Sequence, residues 1–338
     1  MNKPELLNPI LLDCTLRDGG YPIHFQFTSR DVHKLCHGLE RAGLTHIEVG
    51  HGLGLGASGI EHGVAFETDE VYVSSAKSAV NTAKIGAFFI PGIGSFDDIT
   101  KAASAGLDFI RIGTNITDHQ DALPFVDFAL TQGLEVHLNL MKSYAFSEDE
   151  FAAVVVQWQG CHLRSLYVVD SAGCMVPKEV SAYIRCIVGM GIKAGFHGHN
   201  NLDLVNANSL AALDAGADFV DATLRGMGRS SGNAQTEVMA HLFNRYLGEN
   251  TYQVFELFDT IEHYLEPLMI RPQGQSRLEV ITGISRFHTS FMPRFKRILS
   301  HYDVDLGRLI MAVSKINCID PPEALIDRVA KDLARTDG

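Results

Sequence analysis

The sequence predicts a (β/α)₈ barrel, an α/β fold, followed by a helical C-terminal extension. Three observations carry that prediction. Short β-rich apolar runs alternate with helical apolar spacing eight times. A helix-ending Ala-Gly phrase recurs before three of those runs, in RAGLTHIEV, SAGLDFIRI and DAGADFVDA. The alternation fades after Gly248, close to the ~250 residues that such a barrel needs.

The strands are expected at 11–16, 46–49, 84–90, 109–112, 135–141, 165–170, 193–199 and 219–223. Between them, stretches such as 30–41, 121–131 and 178–188 have helical spacing. In the recurring phrase the glycine accepts the left-handed conformation that ends a helix, and the apolar run after it is the next strand. The echo marks a repeated supersecondary unit without the fixed period of a solenoid. Residues 1–250 are therefore expected to form the catalytic barrel. Residues 251–338, with helical patterns at 254–268 and 303–313, are expected to form a helical region that serves as lid or interface.

The bulk chemistry excludes several classes. With 40 acidic and 28 basic residues the net charge is −12, so the chain lacks the footprint that grips a phosphate backbone, and no nucleic-acid partner is expected. The six cysteines form no CxxC pair, which fits buried thiols in a reducing compartment rather than a disulfide frame. The N-terminus has no signal-peptide pattern, and no run of about 20 apolar residues occurs. A soluble cytoplasmic protein without a membrane partner is expected.

In a barrel, chemistry gathers at the C-terminal ends of the strands. Those ends offer Asp13, Arg17 and Asp18; Glu48 and His51; Asn139 and Lys142; Asp170 and Ser171; and His197, His199, Asn200 and Asn201. The sharpest feature is His197-x-His199, because residues two apart on a strand share a face. With Asp18 they make a two-histidine, one-carboxylate set for a divalent metal. Mn²⁺ is the expected ion, with Co²⁺, Fe²⁺, Mg²⁺ and Zn²⁺ as alternatives. Arg17, beside Asp18, suits an oxyanion that develops when a metal acts as Lewis acid on a 2-oxo acid. The plainer alternatives are a structural His-x-His pair and a surface Arg17–Asp18 ion pair.

The phrases DCTLRDG, IEVGHGLGLGASG, PGIG, YVVDSAG, GFHGHNN, VNANSLAALDAGA and GMGRSSGN span nearly the whole chain. They resemble the pyruvate-aldolase branch, typified by the 4-hydroxy-2-oxovalerate aldolases, of the metallolyase superfamily that includes HMG-CoA lyase and isopropylmalate synthase. HGLGLG points to the aldolase branch, and the absence of cysteine from the glycine loop argues against HMG-CoA lyase activity. The resemblance implies reversible cleavage of a 4-hydroxy-2-oxo acid to pyruvate and an aldehyde through a metal-stabilised enolate. It assigns Asp18, His197 and His199 to the metal, Arg17 to the enolate, Ser171 to the pyruvate carboxylate and Asn233 to the metal side. It also implies a homodimer and an acylating aldehyde dehydrogenase as partner. The competing functions are a Claisen-type acyl-CoA/2-oxo-acid condensing enzyme and an inactive barrel subunit of a complex.

Two departures from the family stand out. Where the aldolases carry a histidine base four residues after the arginine, this chain has Tyr21. Where they carry a C-terminal tyrosine phrase, it has His288-Thr289-Ser290-Phe291. The expectation is that His288 is the base and Tyr21 assists, because an imidazole accepts a proton near neutral pH and a phenol does not. His24 is a further candidate. The second departure is positive charge: Lys142 at a strand end, and Arg229 just before an expected helix start that would bind anions, both suggest an acceptor more anionic or polar than acetaldehyde.

Overall fold

The computed structural model describes residues 8–270 and 277–336. Eight parallel strands close into a barrel in sequential order, β1 (Ile10–Asp13), β2 (His46–Val49), β3 (Lys84–Phe89), β4 (Phe109–Asn115), β5 (Glu135–Met141), β6 (Ser165–Asp170), β7 (Ala194–Gly198) and β8 (Phe219–Ala222). β8 closes on β1 with Leu12 opposite Asp221. The barrel helices are α1 (Ser29–Arg41), α2 (Asp69–Ala79), α3 (Phe96–Ser104), α4 (Leu123–Thr131), α5 (Glu148–Gln157), α6 (Pro177–Gly189), α7 (Val205–Asp214) and α8 (Thr236–Leu247). Thr28, Ser95 and Ser147 start α1, α3 and α5 with reciprocal capping boxes to Asp31, Asp98 and Glu150. The glycines of the three repeated phrases, Gly43, Gly106 and Gly216, take φ of 95°, 100° and 102° as they leave their helices.

The first strand is shorter than the sequence suggests. Its apolar run continues to Leu16, but the Cys14 carbonyl accepts from the amides of Arg17 and Asp18 at 3.1 and 2.9 Å. Those bonds fold residues 15–18 into a turn over the barrel mouth and bring Arg17 and Asp18 inward. Inside the barrel, period-two alternation stacks the inward residues in layers. Phe109, His137 and Phe219 fill the lower part with edge-to-face rings. Arg111, Asn139, His197 and Asp221 form a polar layer above them, all at most 5% exposed.

Helix α9 (Val254–Thr260) packs on α1, and Leu257, Ile261 and Leu265 join the apolar layer outside the barrel. Thr260 lies so close to Gly38 that a Cβ there would sit 2.2 Å from its hydroxyl. The remaining helices, α10 (Arg277–Ile284), α11 (Met292–Leu299), α12 (Leu306–Ser314) and α13 (Glu323–Thr336), enclose a second core around Phe287, Phe295, Leu309, Ile310 and Ile326. This unit rests on the C-terminal end of the barrel. Asn201 donates to the Thr282 hydroxyl at 2.9 Å, and the Lys142 ammonium lies 4.9 Å from the Phe291 ring centre. Among the described residues no helix is long and apolar enough to cross a membrane.

Candidate active site

Asp18 opens the short helical turn after β1, His197 lies on β7, and His199 stands one residue past its end. One donor atom from each falls within 4.8 Å of the others. Ligands 2.0–2.2 Å from a shared ion stand ~3–4 Å apart, so small inward adjustments of these side chains suffice. The surroundings favour that use. Asp221 pairs with the His197 Nδ1 at 2.8 Å, which leaves Nε2 for an ion. The Gly232 carbonyl lies 3.3 Å from the His199 Nδ1 and does the same for that ring. Asn233 donates to Asp18 and, at 3.0 Å, to the Met227 carbonyl, while its own Oδ1 is buried without a partner. An orphaned oxygen beside the carboxylate is what a hard or borderline cation would satisfy.

The surroundings keep Asp18 and His199 deprotonated. Burial alone would raise the Asp18 carboxyl, but Arg17, His199, His197 and Arg229 outweigh it and hold it well below the usual carboxylate range. Burial pushes the His199 imidazole down to about 3, against the pull of Asp18. Arg17 donates to Glu48 at 2.7 Å and to Asp18 at 3.0 Å, and its guanidinium stacks 4.8 Å from the Phe88 ring centre. Glu48 also accepts from Arg111 at 3.2 Å, and Arg111 pairs with Asp221. A continuous buried chain thus runs Asp18–Arg17–Glu48–Arg111–Asp221–His197, linking two of the candidate ligands from behind.

The triad opens onto a cavity of about 40 Å³, room for roughly three waters. Arg17, Tyr21, Ser171 and Arg229 line it with Asp18, His197 and His199, and so do Asn139, Phe88 and Met141. Seven residues with expected roles therefore share one cavity. His288 is 8% exposed and sits in the C-terminal layer, not among the side chains lining the cavity. Burial, with Arg229, Lys142 and His199 adding to it, drives its pKa well below the usual imidazole value, so the ring is neutral near pH 7. Its Nδ1 faces the Ser290 hydroxyl at 2.6 Å and the Ser290 amide at 3.3 Å. Burial raises the Tyr21 phenol, opposed by Arg229, and keeps it protonated. The remaining candidate, His24, takes a left-handed φ of 55° and is exposed.

One expectation is corrected. Helix α8 begins at Thr236, three residues beyond Asn233, and its first turn holds the buried carboxyl of Glu237, which accepts from the Arg225 amide at 3.1 Å. That acid occupies the favourable end of the helix dipole, so the helix start is not an anion site. Arg229 reaches the cavity from the loop instead. Sequence reasoning also missed Arg111 and Asp221 and gave Glu48 no role. Their signal was present: each is a charge at an inward position of an otherwise apolar strand.

Fold and site together define a barrel protein with a candidate metal-ligand set at the end where such barrels carry catalysis. The sequence profile of the HMGL-like family matches residues 8–262, and the chain belongs to that family. It is 37% identical over 335 residues to 4-hydroxy-2-oxovalerate aldolase 2 of Rhodococcus opacus, covering 99% of this chain and 96% of that one. It is 41% identical over 238 residues to an oxaloacetate decarboxylase of Mycobacterium tuberculosis, covering 70% of each. The carboxyl transferase domain of Rhizobium etli pyruvate carboxylase superposes with a TM-score of 0.76 at 14% identity, over 98% of this chain and 61% of that one, a likeness of fold.

Proposed function

We infer that the chain is a carbon–carbon lyase of the 4-hydroxy-2-oxovalerate aldolase type, which exchanges a 4-hydroxy-2-oxo acid for pyruvate and an aldehyde. The observation that carries this reading is the convergence of Asp18, His197 and His199 with Arg17 on one cavity. It is joined by full-length similarity to aldolases of that name.

A divalent ion held by Asp18, His197 and His199, with Mn²⁺ as the best fit, would supply Lewis acidity to the keto group of the 2-oxo acid. Everything else belongs to the chain. Arg17, fixed by Glu48 and Asp18, presents its remaining N–H groups to the enolate oxygen that forms when the C3–C4 bond breaks. Ser171 donates to the pyruvate carboxylate in this reading. Its oxygen already accepts from the Lys142 amide at 3.0 Å, which frees the hydroxyl proton for that task. His288 takes the proton from the 4-hydroxyl. Its neutrality leaves one ring nitrogen with a lone pair; Nδ1 accepts from the Ser290 amide at 3.3 Å, so service as a base through Nε2 needs the other tautomer, in which Nδ1 donates to the Ser290 hydroxyl instead. Tyr21, protonated and in the cavity, orients the same hydroxyl. A homodimer, an acylating aldehyde dehydrogenase partner and a cytoplasmic location belong to the same proposal.

A second reading has its own observation, the 41% identity to an oxaloacetate decarboxylase. Decarboxylation of a 2-oxo dicarboxylic acid leaves the same pyruvate enolate, with carbon dioxide as leaving group and no hydroxyl to deprotonate. The two readings share Arg17 and the triad and differ in the need for His288. Exchange of pyruvate C3 protons for deuterium, followed by NMR with metal-stripped and Mn²⁺-loaded protein, tests the shared half. Metal-dependent exchange supports it, and none with Mn²⁺ bound refutes it.

A further inference from the structure

The aldolase reading leaves two cations without work: Arg229, which lines the cavity, and Lys142, which follows a lining residue. Lys142 follows Met141, a cavity-lining residue, in a left-handed conformation with φ of 60°. It is 9% exposed, its ammonium meets the Phe291 ring, and among the described residues no carboxylate lies within ion-pairing distance. The two acids that bear on it most, Asp320 and Asp118, are engaged elsewhere: Asp320 pairs with Arg294 at 2.6 Å, and Asp118 accepts from Asn115 at 3.1 Å. Burial lowers the ammonium pKa, the mark of a charge short of a partner.

Arg229 lines the cavity, and its Nε is buried without a hydrogen-bond partner. Its closest polar contact is the His199 Nε2 at 3.3 Å, the lone pair that a metal would take. Its guanidinium lies 5.9 Å from the Tyr21 ring centre. Lys142 and Arg229 both act on His288. The two cations therefore flank the groups assigned to the 4-hydroxyl, on the aldehyde side of the bond, while Arg17 and Ser171 serve the pyruvate side. A buried ammonium and a half-buried guanidinium that raise each other's energy, neither of them ion-paired with a carboxylate among the described residues, are compensated when an anion enters.

We propose that Lys142 and Arg229 form a carboxylate-binding subsite for the aldehyde half, so that the enzyme's acceptor is a short carboxylated aldehyde and its product a 4-hydroxy-2-oxo dicarboxylic acid. This rests on the aldolase reading. In the condensing direction pyruvate gives up a C3 proton. The electron pair left behind forms the bond to the aldehyde carbon, and the aldehyde oxygen takes one proton to become the 4-hydroxyl. The sum is pyruvate plus aldehyde, with no redox change.

The test compares kcat/KM for condensation of pyruvate with glyoxylate and succinic semialdehyde against acetaldehyde and propanal, using the full-length Mn²⁺-loaded protein. Glycolaldehyde phosphate is a third arm. The expected result is a preference for at least one carboxylated aldehyde over both neutral ones. It should shrink by about tenfold or more in Lys142→Met and in Arg229→Gln, as expected for the loss of one charge-assisted contact. The ratio is read within each variant, so a general loss of activity does not mimic it. Equal or better use of the neutral aldehydes by wild type, a preference for the phosphorylated one, or a ratio unchanged in both variants overturns the proposal. Pyruvate C3 exchange in the same samples separates the failures. Exchange without anion preference refutes only the subsite, and no exchange refutes the aldolase reading and the subsite with it.

Discussion

Replacing Asp221 by asparagine probes the buried chain behind the candidate metal ligands. Asp221 holds the His197 Nδ1 at 2.8 Å and pairs with Arg111, and all three side chains are at most 5% exposed. An asparagine is close to isosteric and can still accept from the ring, but it removes the charge. Two separate effects follow. His197 loses the carboxylate that fixes its tautomer and orientation, and loss of such a partner typically weakens metal binding by about 10–100-fold. Arg111 keeps Glu48 at 3.2 Å but loses its other counter-charge. Removing one partner of a buried pair costs about 3–5 kcal/mol, and the retained Glu48 places this case near the lower end, about 3 kcal/mol. That is a large share of the 5–15 kcal/mol typical of a domain. Titration calorimetry with Mn²⁺ reads the first effect, and urea unfolding of the metal-free protein reads the second. Unchanged Mn²⁺ affinity in a folded Asp221→Asn variant would refute the assignment of His197 as a ligand oriented by Asp221.

Further outcomes follow from the same geometry. His288→Ala is expected to lower aldol cleavage by about 10²–10⁴-fold, the usual worth of a general base, while leaving oxaloacetate decarboxylation and Mn²⁺ affinity near wild type; equal loss of both activities would show that His288 is not the base. Gly173 has φ of 60°, and a Cβ there would lie 2.5 Å from the His199 carbonyl, so Gly173→Ala should displace that ligand and lower Mn²⁺ affinity more than tenfold, by calorimetry. Burial raises Asp13 and Asp170 to about 6. Because an acid raised in the folded state binds more protons there than when unfolded, its effect is to lower stability as pH rises from about 4 to about 6. For Asp170 the shift corresponds to about 3 kcal/mol, and unfolding of Asp170→Asn in that window should lack that share of the slope.

Much of the barrel is legible in the sequence because its strands are buried on both faces and read as continuous apolar runs, and because Gly43, Gly106 and Gly216 mark where helices hand over to strands. The candidate metal set was legible for a local reason: His197 and His199 are two apart and must share a face. Arg17 and Asp18 were legible as residues but not as geometry, since the turn that aims them depends on the Cys14 carbonyl. The Glu48–Arg111–Asp221 chain was not legible, because β2, β4 and β8 bring those charges together only when the sheet closes. The position of His288 was not legible either. It depends on how Phe287, Phe295 and Leu309 build the second core and how that core seats on Asn201 and Lys142.

The central claim is that Asp18, His197 and His199 hold a divalent ion that this chain uses to release pyruvate from a 4-hydroxy-2-oxo acid. The most direct measurement is pyruvate release from 4-hydroxy-2-oxovalerate by metal-stripped protein before and after Mn²⁺ is added, read through lactate dehydrogenase, with Asp18→Ala as the blank. The account predicts release that requires the ion and is lost in the variant. Release that is independent of metal, or undiminished in Asp18→Ala, would contradict it.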